Sequence, residues 1–287
     1  MKILILHHVC ALGGAEKSLL DLLYAFSRLS KDNHEIILAS AKASNYSHRV
    51  QKLGFSVDLF PFIRLKRTRN IPVALQQLFH LIYINILIFA YIQKERIHVV
   101  HANSTNAYVQ CLGACKFARI PVIWHVRDYC KSKTLAKLLI KFAAQVITIS
   151  DFLKESFAEH TSKKVLTIYN GVKLQDSKMP IPTEKPQWAR SKYLLSISQL
   201  VPWKKHEVLI DAMYYVKSVM PHLKLFIVGS DLFNEHHDYT DYLKKKLTNL
   251  NSRIAFISLD MSKMSYHILS TVNYLYMLLK MNRLAVP

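Results

Sequence analysis

The sequence predicts an α/β protein made of two doubly wound parallel-sheet domains, the second smaller than the first. Three observations predict it. Short apolar runs alternate with longer amphipathic segments along the chain, the rhythm of strand–helix–strand units. The short runs are apolar throughout, as strands covered by helices on both faces must be. One polar, proline-bearing stretch, LQDSKMPIPTEKPQWARSK at 174–192, breaks the rhythm and reads as a linker between domains at 1–173 and 193–287.

The first element is a strand, Lys2–His7. Its charged start and apolar run resemble a signal peptide, but the run stops after about five residues at two histidines, so a core strand is the better reading. Helix Glu16–Leu29, strand Glu35–Ser40, helix Tyr46–Leu53 and strand Ser56–Phe60 follow. Helix Ile71–Glu95 is long enough to raise the question of a membrane span. Gln76, Gln77, His80 and Asn85 interrupt it, which favours a core helix over a spanning one. The basic cluster Arg64, Lys66, Arg67, Arg69 just before it has two readings, a membrane-surface contact or a solvated loop. The domain continues with strand His98–His101, helix Thr105–Ala118, strand Val122–Val126, helix Lys133–Ala144, strand Val146–Ile149, helix Asp151–His160 and strand Val165–Ile168. After the linker come strand Tyr193–Ser198, helix Lys205–Val219, strand Lys224–Val228, helix Tyr239–Leu250, strand Arg253–Ile257, helix Ser262–Ser270 and strand Val272–Tyr276.

Composition narrows the function. The 287 residues, 51% hydrophobic, exclude a mainly disordered chain. Thirty-nine Lys and Arg against 19 Asp and Glu leave a net charge of +20. Residues 1–180 hold 25 basic and 11 acidic side chains, and 181–287 hold 14 and 8, so basicity concentrates in the first domain. No RRM, KH or helix-turn-helix signature accompanies the charge, so anionic lipids or phosphate-bearing acceptors are preferred to nucleic acid as partners. The four cysteines, Cys10, Cys111, Cys115 and Cys130, form no CxxC pair and no zinc spacing, which suits a reducing cytoplasm. Cys111 and Cys115 share a helix face and read as small buried hydrophobes. No metal is expected.

Chemistry-bearing residues cluster at strand ends. Gly13-Gly14, between the first strand and its helix, allows backbone N–H groups to approach a phosphate, or simply makes a tight turn. A nicotinamide site fits poorly: GxGxxG is missing, and the second strand ends in Ala39-Ser40-Ala41-Lys42 where an acid should hold the ribose. GxxxxGK[ST] is missing too. His125, Arg127, Asn103 and Ser104 close neighbouring strands, the edge where doubly wound sheets bind ligands; a lone strand-end histidine also has the plainer reading of a structural one.

In order, LGGAEKSLLDLL, VVHANST, VIWHVRDY, ITISDFLKESF, TIYNGVKL, SISQLVPWKKHEVLIDAM and LKLFIVGSD resemble the motifs of glycosyltransferase family 4, over nearly the whole chain. The resemblance implies a GT-B fold with two Rossmann-like domains and transfer of a hexosyl group from a nucleotide sugar with retention, without a cofactor. It implies a lipid-linked or polysaccharide acceptor, as in cell-surface glycan or lipopolysaccharide synthesis. It places His125 at the sugar as the catalytic residue, and Gly13, Gly14, Gln199, Lys204 and Gly229 on the donor. Glu16, Asn103, Ser104 and Arg127 fall on the acceptor side. Gln199 stands where many members have arginine, and Lys205 where they usually have glycine. A diphosphate leaving group needs cations or N–H dipoles where charge develops, which agrees with a lysine at 204. A cytoplasmic location, peripheral at the inner membrane face, follows.

After STVNYLY the sequence departs from the family, which expects Glu-Pro-Phe-Gly and a further glutamate. Met281-Asn282, read one nucleotide earlier, must contain GAA, and Tyr276–Pro287 in that frame can encode LHASQNEPFGR. A frameshift or a sequencing slip near Leu275–Tyr276 is therefore expected, with an incomplete second domain. Two alternatives stand beside the enzyme: an inactive remnant of one, and a binder of anionic membranes or nucleic acid.

Overall fold

The computed structural model describes residues 1–9, 12–29, 34–130, 132–157, 164–171, 193–231, 234–248 and 254–258. The expected linker, the helix Ser262–Ser270, the strand Val272–Tyr276 and the segment of the frame argument lie outside them, as does Cys10. The chain divides into two compact units, Met1–Lys173 and Leu174–Pro287.

In the first unit, β1 (Lys2–His7), β2 (Glu35–Ser40), β3 (Ser56–Leu59), β4 (Val99–Ala102), β5 (Val122–Val126), β6 (Gln145–Thr148) and β7 (Val165–Thr167) form one sheet. Its order is β3-β2-β1-β4-β5-β6-β7 and all pairs are parallel. The helices are α1 (Gly14–Arg28), α2 (Asn45–Lys52), α3 (Ile71–Glu95), α4 (Thr105–Ala118), α5 (Lys133–Phe142) and α6 (Asp151–Glu155). The order reverses between β1 and β4, and the strands' carboxyl ends at such a switch point are where doubly wound sheets bind ligands.

The period-two pleat explains the all-apolar strands. On β1, Leu4 and Leu6 join the large core built with α3, α4 and α5, while Ile5 joins the smaller core under α1 and α2. Trp124 anchors the large core: fully buried, it stacks on Tyr108 at 5.1 Å and meets Phe157 edge-on at 5.7 Å. Tyr108 donates its hydroxyl to the Leu139 carbonyl at 2.9 Å, which keeps that polar group satisfied in the core. Cys111 and Cys115 are buried here as small hydrophobes.

Helix α3 differs from the core helix that the sequence favours. Only one stripe, Ile84, Ile88 and Ile92, is buried, at the i, i+4 spacing of a single helix face. It packs on α4 at Gly113, where a Cβ would lie 2.9 Å from Asn85 Oδ1, so an alanine there would have to displace the Asn85 amide. Asn85 Oδ1 accepts from the Ala114 N–H at 2.7 Å across the same contact. Leu78, Phe79, Ile82, Tyr83 and Ile86 of the same helix are exposed.

The second unit has a parallel sheet ordered β10-β9-β8, from β8 (Tyr193–Ile197), β9 (Lys224–Gly229) and β10 (Ile254–Ser258). With α7 (His206–Val219) and α8 (His237–Thr248), it encloses a core of Leu200, Ile210, Met213, Leu225, Ile227 and Leu243.

Candidate functional site

Residues two apart on a strand share a face, so His7, Asn103 and Arg127 follow Ile5, His101 and His125 on the α1 face of adjacent strands β1, β4 and β5. The result is two polar rows at the carboxyl edge, an outer row of His7, Asn103 and Arg127 and an inner pair of His101 and His125.

The outer row is a hydrogen-bonded relay. Arg127 donates from Nε and Nη2 to Asn103 Oδ1 at 3.1 and 2.8 Å, which fixes the amide orientation. Asn103 Nδ2 therefore donates to His7 Nδ1 at 3.1 Å, and His7 Nε2 carries its hydrogen to Glu16 Oε1 at 2.8 Å. The other carboxylate oxygen of Glu16 accepts the Gly13 N–H at 2.8 Å, capping α1. Burial pushes the Glu16 carboxyl up, but the hydrogen bonds from His7 and from its own and Gly13's N–H outweigh this and hold it below its ordinary value. Glu16 is buried, with one oxygen on His7 and the other on the loop before α1. Arg127 also reaches Asn170 Oδ1 at 3.3 Å, which accepts from Ser18 Oγ at 2.8 Å, so the end of β7 joins the same edge. Ser104 caps α4 through the Ala107 N–H and gives its own hydrogen to His8 Nδ1 at 3.1 Å. A Cβ on Gly14 would meet nothing within 4 Å, so the backbone beside the α1 N-terminus is open.

The inner pair is neutral. His101 Nε2 and His125 Nδ1 share one hydrogen across 3.2 Å, with rings stacked 5.4 Å apart. Burial first, then Arg127 and His101, push His125 down to about 3. Burial and Arg127 push His101 down to about 4. His125 is 8% exposed and its Nε2 is shielded without a hydrogen-bond partner. Leaving such an atom unpaired costs about 1–3 kcal/mol. The Tyr46 hydroxyl, on α2 beside His7, is buried and unpartnered as well.

In the second unit, β8 leads through a 3-10 turn, Pro202–Lys204, into α7. Lys204 is exposed at the end of that turn. Lys205, which the resemblance puts at a usual glycine, has φ +54°, the left-handed conformation glycine adopts without strain. Buried His206 braces the loop: its Nε2 lies 3.0 Å from Ser198 Oγ and 3.1 Å from the Gln199 carbonyl, and its N–H donates to Tyr239 Oη at 3.1 Å. Gly229 closes β9 where a Cβ would lie 1.9 Å from the Ser198 carbonyl oxygen, so only glycine lets the β8 loop pass.

The structure thus brings together Gly13, Glu16, Asn103 and Arg127, with His125 just inside them, and Ser104 at the same edge. Gln199, Lys204 and Gly229 gather at the carboxyl edge of the other sheet. His7, His8, His101 and Tyr46 enter the first group without having been singled out by the sequence, and Asn170, which the sequence offers only as a turn before the linker, joins them. Among the described residues, no group of three or more His, Cys, Asp or Glu is placed to hold a metal ion.

A family model described as Glycosyltransferase Family 4 matches residues 12–176. No curated protein matches the sequence. Among solved structures, HepE of Anabaena, crystallised with UDP and glucose, is similar with a TM-score of 0.66 at 21% identity, over 94% of this chain and 72% of its own. A glycosyltransferase of Rickettsia africae has a TM-score of 0.63 at 18% identity, over 93% of this chain and 70% of its own. The lipopolysaccharide outer core galactosyltransferase WaaB, in its apo form, has a TM-score of 0.59 at 14% identity, over 94% of this chain and 72% of its own. At such identities the likeness is one of fold, the Rossmann-like architecture of the GT-B class.

Proposed function

The chain belongs to glycosyltransferase family 4, and from that membership we propose that it moves a hexosyl group, with retention, from a nucleotide sugar to a lipid-linked or polysaccharide acceptor of the cell surface, lipopolysaccharide included. The observation that carries the reading is His125: a buried, neutral imidazole beside Arg127 with an unpartnered Nε2 at the switch point. A sugar hydroxyl reaching that atom supplies the hydrogen bond it lacks.

In this reading Lys204, the open backbone at Gly14 and the close strand approach at Gly229 bind the donor, with Gln199 as a neutral hydrogen-bond donor near the phosphates, while the Gly13 N–H stays on Glu16. Lys204 and the N–H dipoles meet the charge that develops on the departing diphosphate, so the reaction runs without a metal or cofactor. Arg127, Asn103 and Ser104 face the acceptor, and Glu16 keeps His7 and the glycine loop in place. The work is done on the cytoplasmic side of the membrane, where nucleotide sugars and anionic lipids meet.

The test is sugar transfer by the purified chain from labelled UDP-, GDP- and ADP-sugars to extracted membrane lipids and polysaccharide. UDP donors come first because HepE, of similar fold, is crystallised with UDP and glucose. The reading expects transfer with the anomeric configuration of the donor kept, unaffected by EDTA, and reduced at least ~100-fold in His125→Ala. Absence of transfer from every donor by a folded chain refutes the activity, and an inverted product refutes retention.

A further inference from the structure

We propose that His101 is a positioning residue of the first unit's site: it gives its Nε2–H to His125 Nδ1 and so fixes His125 as the tautomer that offers Nε2–H, a hydrogen-bond donor, to an oxygen of the bound sugar. The inference deepens the proposed function and rests on it for the sugar. Strand register brings the two rings together. His101 of β4 pairs with Ile123 of β5, and His125 follows Ile123 by two residues on the same face. The rings lie nearly parallel, 14° apart, with centroids at 5.4 Å and His101 Nε2 3.2 Å from His125 Nδ1. The opposite nitrogen of His125, Nε2, is shielded and has no hydrogen-bond partner. A buried polar atom left open at the ligand-binding edge of a doubly wound sheet is placed for a ligand to complete.

The direction of the shared hydrogen follows from charge state and imidazole chemistry. Burial and then the Arg127 guanidinium push His101 down to about 4 and His125 down to about 3, so near neutral pH each ring carries one hydrogen. Two neutral rings can share a hydrogen in two ways. If His125 gave Nδ1–H, both rings would take the Nδ1–H form, the minor tautomer of a neutral histidine side chain in water. With His101 giving Nε2–H, both take the major one. The bond made at one ring nitrogen decides what the other can do, so His125 meets its ligand as a donor. It serves an oxygen with a lone pair to spare, such as a hydroxyl, and rejects a group that can only donate, such as an ammonium. Arg127 and His101 thus act differently on His125: the guanidinium keeps the ring neutral, and His101 chooses which nitrogen holds the hydrogen. The Asn103 amide beside them is engaged by Arg127 and His7, so the orienting bond on His125 is the one from His101.

The experiment is long-range proton–nitrogen correlation NMR on the full chain with isotope-labelled histidine, without sugar donor, His125 being assigned by the signals that His125→Gln removes. His125 should show the Nε2–H tautomer alone. His101→Phe keeps a flat ring in the stack but has no hydrogen to give, and should leave His125 averaging between tautomers. His101→Gln, whose amide N–H can reach Nδ1, should restore the Nε2–H form. In sugar transfer, kcat should fall about 10–100-fold in His101→Phe with KM little changed, and recover most of the loss in His101→Gln, as for other groups that orient a histidine. The Nδ1–H tautomer in the parent would overturn the inference, and that spectrum decides even where His101→Phe does not fold. A folded His101→Phe with the parent's tautomer and kcat would overturn it too. The Nε2–H form with no sugar transfer would leave the proton assignment standing and remove the catalytic reading instead.

Discussion

Asn103 Oδ1 accepts two N–H groups from Arg127, at 3.1 and 2.8 Å, and this pairing orients everything else at the switch point. With the carbonyl committed to Arg127, the Asn103 amide must donate to His7, and His7 must donate to Glu16. Asn103→Leu removes all three bonds made by the amide while leaving a charged guanidinium at a partly covered site. The expected loss is about 2–4 kcal/mol of unfolding free energy, measured by urea denaturation. A loss below about 0.5 kcal/mol would mean that the relay contributes nothing to the fold.

Gly229 and Gly14 make opposite predictions for one substitution. At Gly229 an added Cβ collides with the Ser198 carbonyl oxygen at 1.9 Å, so Gly229→Ala displaces the β8 loop and costs both stability and donor binding. At Gly14 it meets nothing within 4 Å, and an alanine suits a helix start, so Gly14→Ala should leave the melting temperature unchanged or higher. Any loss of nucleotide-sugar binding in Gly14→Ala then reports a clash with the ligand itself.

Lys205 sits at φ +54° without the freedom of glycine. Its Nζ lies 3.6 Å from Glu207 Oε1, and an exposed ion pair of that kind is worth only a few tenths of a kcal/mol. Lys205→Gly should therefore stabilise the second unit by about 0.5–1 kcal/mol, seen as a higher denaturation midpoint. A lower midpoint would show that the lysine side chain holds the loop.

Burial lowers three histidines of the first unit together. His8 falls to about 4, through burial and then His7, with Arg64 adding to it; His101 falls to about 4, and His125 to about 3. The ordinary value, 6.5, is higher, so below it the unfolded chain binds protons that the folded one refuses. Their contribution is complete above pH 6.5 and drains away as pH falls toward 4, by roughly 1–2 kcal/mol per histidine between pH 7 and 5. Denaturation across that range should show stability rising with pH, with a shallower slope in His101→Gln. A flat profile would contradict the burial of these rings.

Much of the first unit was legible because a parallel sheet writes itself locally: β1, β2 and β5 lie where their apolar runs place them. The candidate site was legible only at its ends. His125, Arg127 and Asn103 stand out because they terminate apolar runs, but the bond between His7 and Asn103 spans 96 residues and leaves no local pattern. His101 sits inside an apolar run and looks like sheet filling. The order of β1, β4 and β5 provides the missing signal: once they are neighbours, polar residues at their final same-face positions must meet. Helix α3 misled for the opposite reason. Its composition is that of a core helix, and composition does not say that only one stripe is covered.

If the second sheet edge binds a nucleotide sugar through Lys204, titration calorimetry of the purified chain with UDP-glucose, UDP-galactose, GDP-mannose and ADP-glucose will register it without an acceptor. At least one donor should bind saturably, weakened roughly 10–100-fold by Lys204→Ala, as loss of a charge-assisted phosphate contact implies. Heat of dilution alone from every donor, or a donor held equally well by Lys204→Ala, would contradict it.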